Sequence, residues 1–308
     1  MSKVPYSKPA LNYAEQLQQL KERGLFIDNE AKALHILEHV SYYRLSAYWY
    51  PMLETPKSDH RFKPGSSFEN AFKLYCFDRE LRNLIWRELE KIEVAIRSRL
   101  IYELSHLHGP FWYTNPTLFK SQVHHESIIK KTRLEYERSD ERFIMDFHRK
   151  YKDPLPPSWM MLELTSFGGL SLLYKNLNDT HARRSIAHFF GLDDASFQSW
   201  LHSIVYVRNV CAHHSRLWSR TMRISPSIPE KPRNTFLNAS TGYNGIDGVK
   251  IENNRVFYLL SMIIYWLDII NPHSAFKNRF MSLLINYPMV DVKAMGFPSE
   301  WVSEPLWL

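Results

Sequence analysis

The chain has 308 residues, of which 44% are hydrophobic, 23% are charged and only 10 are glycine, a composition that supplies a sizeable core and excludes the disordered and low-complexity classes. Lys and Arg number 39 against 32 Asp and Glu, a formal charge of +7, which favours a polyanionic partner. Two cysteines, Cys76 and Cys211, with no CxxC pair and no Cys/His grid at zinc spacing, exclude a disulfide framework and a structural zinc site.

The opening MSKVPYSKPALNYAEQ lacks the apolar centre of a signal peptide, so a cytoplasmic protein is expected. Leu11 to Arg23 carries Leu17 and Leu20 on one stripe and meets Gly24, a helix stop. Glu30 to His39 repeats the pattern with Ala33, Leu34 and Leu37, and leads into an aromatic segment, Ser41 to Tyr50, closed by Pro51. In that segment Tyr42, Tyr43, Tyr48 and Trp49 are read as core packing rather than base-stacking residues. Residues 55–67 are polar and broken by Pro and Gly, the signature of a loop.

From Phe68 to the stop at Gly109-Pro110, apolar residues recur at spacings of three and four, among them Leu81, Ile85, Ile92, Ile96, Leu100 and Leu104. The pattern predicts a spine helix of about 30 residues, roughly 45 Å long, with Arg82, Glu88 and Arg97 among the residues assigned to its other faces. Lys130 to Tyr151 reads as one solvated helix of mixed charge. The segment SWMMLELTSFGGLSLLYKNL places Trp159, Leu162, Leu164 and Phe167 in a core helix interrupted at Gly168 and Gly169. Helix signals return at His181 to Phe190, stop at Gly191, and restart after Asp193 and Asp194, either of which suits an N-cap.

Residues 219–250 read as a long irregular connection with a small hairpin around Tyr243 to Val249. Two further helices, near Asn254 to Ile270 and Ser274 to Asn286, precede a Pro-rich, Trp-containing tail. The apolar run Val256 to Ile270 is shorter than the roughly 20 residues of a membrane span and contains Asp268, so it reads as a core helix and no membrane partner is expected. The fold class is therefore all-α: an N-terminal helical segment over 1–67 packed on a main helical bundle over 68–287, then a tail over 288–308.

Between Ala195 and Pro229 there is no Asp or Glu, yet the stretch holds Arg208, Arg216, Arg220 and Arg223 together with His202, His213 and His214. An anion is expected there, and phosphate suits the planar bidentate donors of arginine. The missing carboxylates argue against a site for a hard metal, and adjacent histidines make poor joint ligands, so no metal or other cofactor is assigned. Cys211, between Val210 and Ala212, reads as a small packing residue.

Within that stretch Arg208-Asn209-Val210-Cys211-Ala212-His213-His214 resembles the R-x4-6-H motif of HEPN ribonucleases. The wider string VRNVCAHHSRLWSR (Val207 to Arg220) is similar to the signature of Abi-like abortive-infection proteins of bacteria. So are RGLFI (Arg23 to Ile27), SYYRLSAYW (Ser41 to Trp49), FDRELR (Phe77 to Arg82), IEVAIRS (Ile92 to Ser98), PPSWM (Pro156 to Met160) and SFGGLS (Ser166 to Ser171). These blocks run in order over about residues 8 to 220. One departure is Ser219, where the resemblance leads to an expectation of Asn.

The resemblance implies a HEPN-like bundle and a metal-independent endoribonuclease of phage defence that leaves 2′,3′-cyclic phosphate and 5′-hydroxyl ends. His213 would move the proton and Arg208 would stabilise the phosphorane. Asn209, four residues before His213, orients the imidazole or binds phosphate. His214 shares the proton transfer, binds RNA or caps the helix. Arg216, Arg220 and Arg223 would track the RNA backbone. Residues five apart on a helix lie roughly 140° apart, so either the helix distorts after Cys211 or two copies of the chain contribute. The resemblance favours a homodimer with a composite cleft. An RNA or protein antitoxin is the expected restraint. A non-catalytic RNA-binding module and an interaction scaffold of a defence system are the alternatives.

Overall fold

The computed structural model describes residues 5–238 and 250–308, so the hairpin expected at Tyr243 to Val249 lies outside the described residues. The fold is all-α. Twelve α-helices occur among the described residues, linked by 3-10 turns and three isolated β-bridges. The chain divides into two compact units. One runs to Leu81 and takes in Ser282–Val290, and the other comprises Arg82–Met281 and Asp291–Leu308.

The first unit is built from α1 (Tyr13–Glu22), α2 (Glu30–Val40), α3 (Tyr42–Trp49) and the opening of α4 (Phe68–His108). Each helix start has a local cause. Asn12 and Glu15 form a reciprocal capping box, Asn29 accepts from the Lys32 N–H, and the Ser41 hydroxyl accepts from the Arg44 N–H. Leu17, Leu20, Leu37, Leu45, Trp49 and Phe68 share one core. Tyr48 is buried as well and donates its hydroxyl to Asp78 at 2.7 Å, whereas Tyr43 is exposed. The aromatic segment is thus mainly core, as its pattern suggested.

Helix α4 keeps the bounds its sequence pattern gave, and its 41 residues, roughly 60 Å, exceed the length of about 30 assigned to it; Phe68, Ala71, Leu74 and Phe77 carry the buried stripe through its first turns. Arg82, Glu88 and Arg97, assigned from sequence to other faces, are buried. Glu88 is fully enclosed because Lys91 and Arg279 pair with it, which offsets the cost of removing its charge from water.

In the second unit, the expected solvated helix proves to be two, α5 (Gln122–Glu137) and α6 (Arg142–Lys150), separated by residues 138–141. The segment after Pro157 also differs from its reading. A single turn α7 (Ser158–Met161) and a 3-10 turn (Leu162–Leu164) end before Ser166, which caps α8 (Phe167–Asn176). Gly168 and Gly169 therefore lie in the first turn of a helix, not at an interruption. Trp159, expected in the core, is half exposed.

Helices α9 (Thr180–Phe189) and α10 (Asp194–Ala212) follow. Then come α11 (Val256–Ile270), buried on every side from Val256 to Leu267, and α12 (Phe276–Asn286). Trp200 of α10 lies 5.6 Å from Trp266 of α11, ring to ring, in a cluster with Phe197 and Tyr265. The C-terminal segment is packed: Phe297 and Trp307 close on Phe257. No helix among the described residues is long and apolar enough to cross a membrane.

Candidate functional site

Helix α10 carries the candidate residues, and its start is fixed by several contacts. The Asp193 carboxylate accepts from the Ser196 N–H at 2.9 Å. Burial alone would raise its pKa, but hydrogen bonds from Ser196 and from backbone N–H groups outweigh it and hold the carboxyl below the usual range. One residue on, Asp194 binds Arg183 of α9 at 2.9 Å and accepts the Tyr174 hydroxyl of α8 at 2.6 Å. Burial and the Asp194 carboxylate push the Tyr174 hydroxyl well above its ordinary pKa, so it stays a donor. Three helices are thereby locked at the base of α10.

The far end of α10 is where the candidate residues gather. The Ser215 N–H bonds to Val210 O at 3.0 Å and the His214 N–H to Cys211 O at 3.0 Å, the paired bonds of a Schellman motif. Helices α1 and α9 end in the same way with glycine at the left-handed position, Gly24 (φ +90°) and Gly191 (φ +72°). In α10 that position is His214, with φ +52°. A non-glycine residue there costs about 1–2 kcal/mol, a strain typical of functional positions.

His213 is the C-cap and is exposed, and its imidazole has no hydrogen-bond partner among the described residues. Asn209 is exposed one turn earlier. Arg208 is half-buried, with its guanidinium 5.2 Å above the Trp86 ring and no carboxylate paired with it among the described residues. The helix does not distort before its end: it is regular to Ala212, and the His213 N–H still bonds to Asn209 O at 3.0 Å. The angle of roughly 140° between Arg208 and His213 therefore stands, and the two side chains leave the helix on different sides.

On His213's side, His202, Tyr206, Asn209 and His213 fall within a sector of roughly 60°. Arg220 joins them, donating from Nη1 to the Tyr206 hydroxyl at 3.2 Å and from Nε to Arg216 O at 2.6 Å. Tyr206 was missed in the sequence, although its three- and seven-residue spacing to Asn209 and His213 was legible there. Arg223 is exposed and Arg216 half-buried. Cys211 is buried, as a packing residue should be.

One group of side chains elsewhere has the spacing of metal ligands. His35, Glu38 and His39 of α2 are exposed, and their ligand atoms lie within 4.8 Å of one another. The signal, two histidines four apart on a helix, was present in HILEH and went unread.

A family model described as Abi-like protein matches residues 35–219, well over half of the chain, and the chain belongs to this family. The matched span takes in α10 and ends at residue 219, inside the acid-free stretch. No curated protein and no solved structure matches the chain.

Proposed function

We propose that this protein is a metal-independent endoribonuclease of HEPN type that acts in abortive-infection defence. The observation that carries the proposal is the end of α10, where an exposed His213, its imidazole without a hydrogen-bond partner among the described residues, stands in a segment rich in Arg and devoid of carboxylates. RNA brings its own nucleophile. The 2′-oxygen bonds to the adjacent phosphorus as the bond to the 5′-oxygen breaks, which gives a 2′,3′-cyclic phosphate and a 5′-hydroxyl. His213 takes the 2′-OH proton or supplies the one the leaving oxygen needs. Arg208 stabilises the charge that grows on the non-bridging oxygens. Asn209 and His214 flank the phosphate, and Arg216, Arg220 and Arg223 hold the backbone on either side.

Because Arg208 and His213 point to different sides of one regular helix, the functional unit is a homodimer in which each cleft takes residues from both copies. An antitoxin, RNA or protein, restrains it in an uninfected cell. Purified wild type and His213→Ala are incubated with cellular RNA in EDTA, and the fragment ends are analysed. Cyclic-phosphate ends from wild type alone are expected. Cleavage that persists in the variant would refute the role of His213. Salt-sensitive RNA binding without any cleavage would favour a non-catalytic RNA-binding module. Neither binding nor cleavage would favour an interaction scaffold.

A further inference from the structure

A second candidate site lies away from the end of α10. A cavity of about 920 Å³ opens among α4, α5 and the start of α8, within the range of small-molecule sites. Its carboxylates are already matched: Glu93 and Glu163 both pair with Arg97, at 2.8 and 3.4 Å, and Glu135 pairs with Arg138. Lys120, Lys131 and Lys175 also line it, and none has an ion-pair partner among the described residues. Among the lining side chains, Arg97, Lys120, Lys131 and Lys175 face the carboxylates of Glu93, Glu135 and Glu163, a surplus of one positive charge.

Three features favour an anion. Partial desolvation against the cavity wall, and after it the nearby Arg183 guanidinium, hold the otherwise exposed Lys120 ammonium below the ordinary lysine value, a penalty that a bound anion would relieve. Arg97, 9% exposed on the cavity wall, adds a guanidinium charge there, and its enclosed Nε has no hydrogen-bond partner among the described residues. The first turns of α5 and α8 open onto the same space through Ser121, Ser166 and Gly168. Their capping serines satisfy the third N–H of each helix and leave earlier N–H groups for a ligand. Ile128, Leu164 and Leu172 add apolar wall beside these charges.

We propose that this cavity binds a free nucleoside polyphosphate. The phosphates lie on Lys120, Lys175 and the two helix starts, and the base lies against Ile128, Leu164 and Leu172. The same turn of α8 rests on α10, since a Cβ built on Gly168 would stand 3.9 Å from Val205 Cγ1. The ligand thus sits on a helix that supports the candidate cleavage site while remaining separate from it. The proposal does not depend on the ribonuclease activity.

The test is calorimetric titration of the full chain with ATP, GTP, CTP and UTP in turn, using wild type, His213→Ala and the double variant Lys120→Glu/Lys175→Glu. Both lysines are exposed, so the double variant should fold, which a melting curve checks. At least one nucleotide should bind wild type and His213→Ala equally and bind the double variant about tenfold or more weakly. Failure of all four nucleotides to bind near about 1 mM would overturn the proposal. So would unchanged affinity in the double variant, or binding lost in His213→Ala.

Discussion

Gly191 closes α9 immediately before the chain enters α10, and its replacement by alanine is expected to cost far more than an ordinary glycine substitution. Its φ of +72° is left-handed. That conformation costs about 1–2 kcal/mol for a residue with a Cβ, partly offset by about 0.5–1 kcal/mol because alanine loses less entropy on folding. Steric overlap costs more. A Cβ on Gly191 would overlap the Tyr265 hydroxyl oxygen and stand 3.1 Å from Cζ. That hydroxyl is buried and donates to Gly191 O at 2.7 Å. Moving it aside strands a buried polar group at about 1–3 kcal/mol. The total is about 1–4 kcal/mol, which for 308 residues lowers the melting point by roughly 2–6 °C. Urea unfolding of Gly191→Ala in the wild-type and Tyr265→Phe backgrounds separates the backbone cost from the steric one. In the second background only the backbone cost of about 1 kcal/mol or less should remain. A cost below about 1 kcal/mol in wild type, or the same cost in both backgrounds, would refute the steric account.

Asp193→Ala removes the N-cap of α10 and should cost about 1 kcal/mol at neutral pH. The native carboxyl titrates below its ordinary value, so its contribution is full above the unfolded pKa of about 3.9 and disappears as pH falls through the native one. Unfolding curves of wild type and variant should therefore converge in acid, and a constant gap down to about pH 2 would contradict the assignment. Arg208→Ala should lower single-turnover RNA cleavage by about 10²–10³-fold while costing only about 0.5–1 kcal/mol of stability, the worth of its contact with Trp86. An activity loss that merely follows the unfolded fraction would assign Arg208 a structural role.

The elements most legible in the sequence were those whose signal is local. Gly24, Gly191 and Asp193 mark helix ends through their own side chains or the lack of one, and each boundary fell within a residue or two. The misplacements arose where tertiary packing decides. Residues 130–151 carry a helical charge pattern throughout, and nothing in that pattern shows the break at 138–141. Glycine pairs usually interrupt helices, but Gly168 and Gly169 are admitted to α8 by the Ser166 cap, which bonds the Gly169 N–H. The burial of Glu88 rests on Arg279, 191 residues away, a pairing no window along the chain reveals. At the candidate site the residue types were visible, but which of them share a side of α10 came only from joining the helical period to the contact between Arg220 and Tyr206.

That contact sharpens the argument for two copies. On one chain, His213 has Asn209, Tyr206 and the Tyr206-bound Arg220 on its side of α10, whereas Arg208 lies over Trp86. A single protomer thus presents the proposed proton-transfer face with one tethered cation and, roughly 140° around the helix, a second cation with no carboxylate paired to it among the described residues. An arginine held over an aromatic ring keeps its in-plane N–H donors available for a phosphate. If α10 of one copy meets α10 of another in antiparallel fashion, Arg208 of each approaches the His213 face of the other. Two such clefts would then form together, related by the twofold axis that isologous dimers possess. In the proposed ribonuclease, mixing His213→Ala with Arg208→Ala chains should restore one intact cleft per mixed dimer. A strictly monomeric enzyme would gain nothing from the mixture.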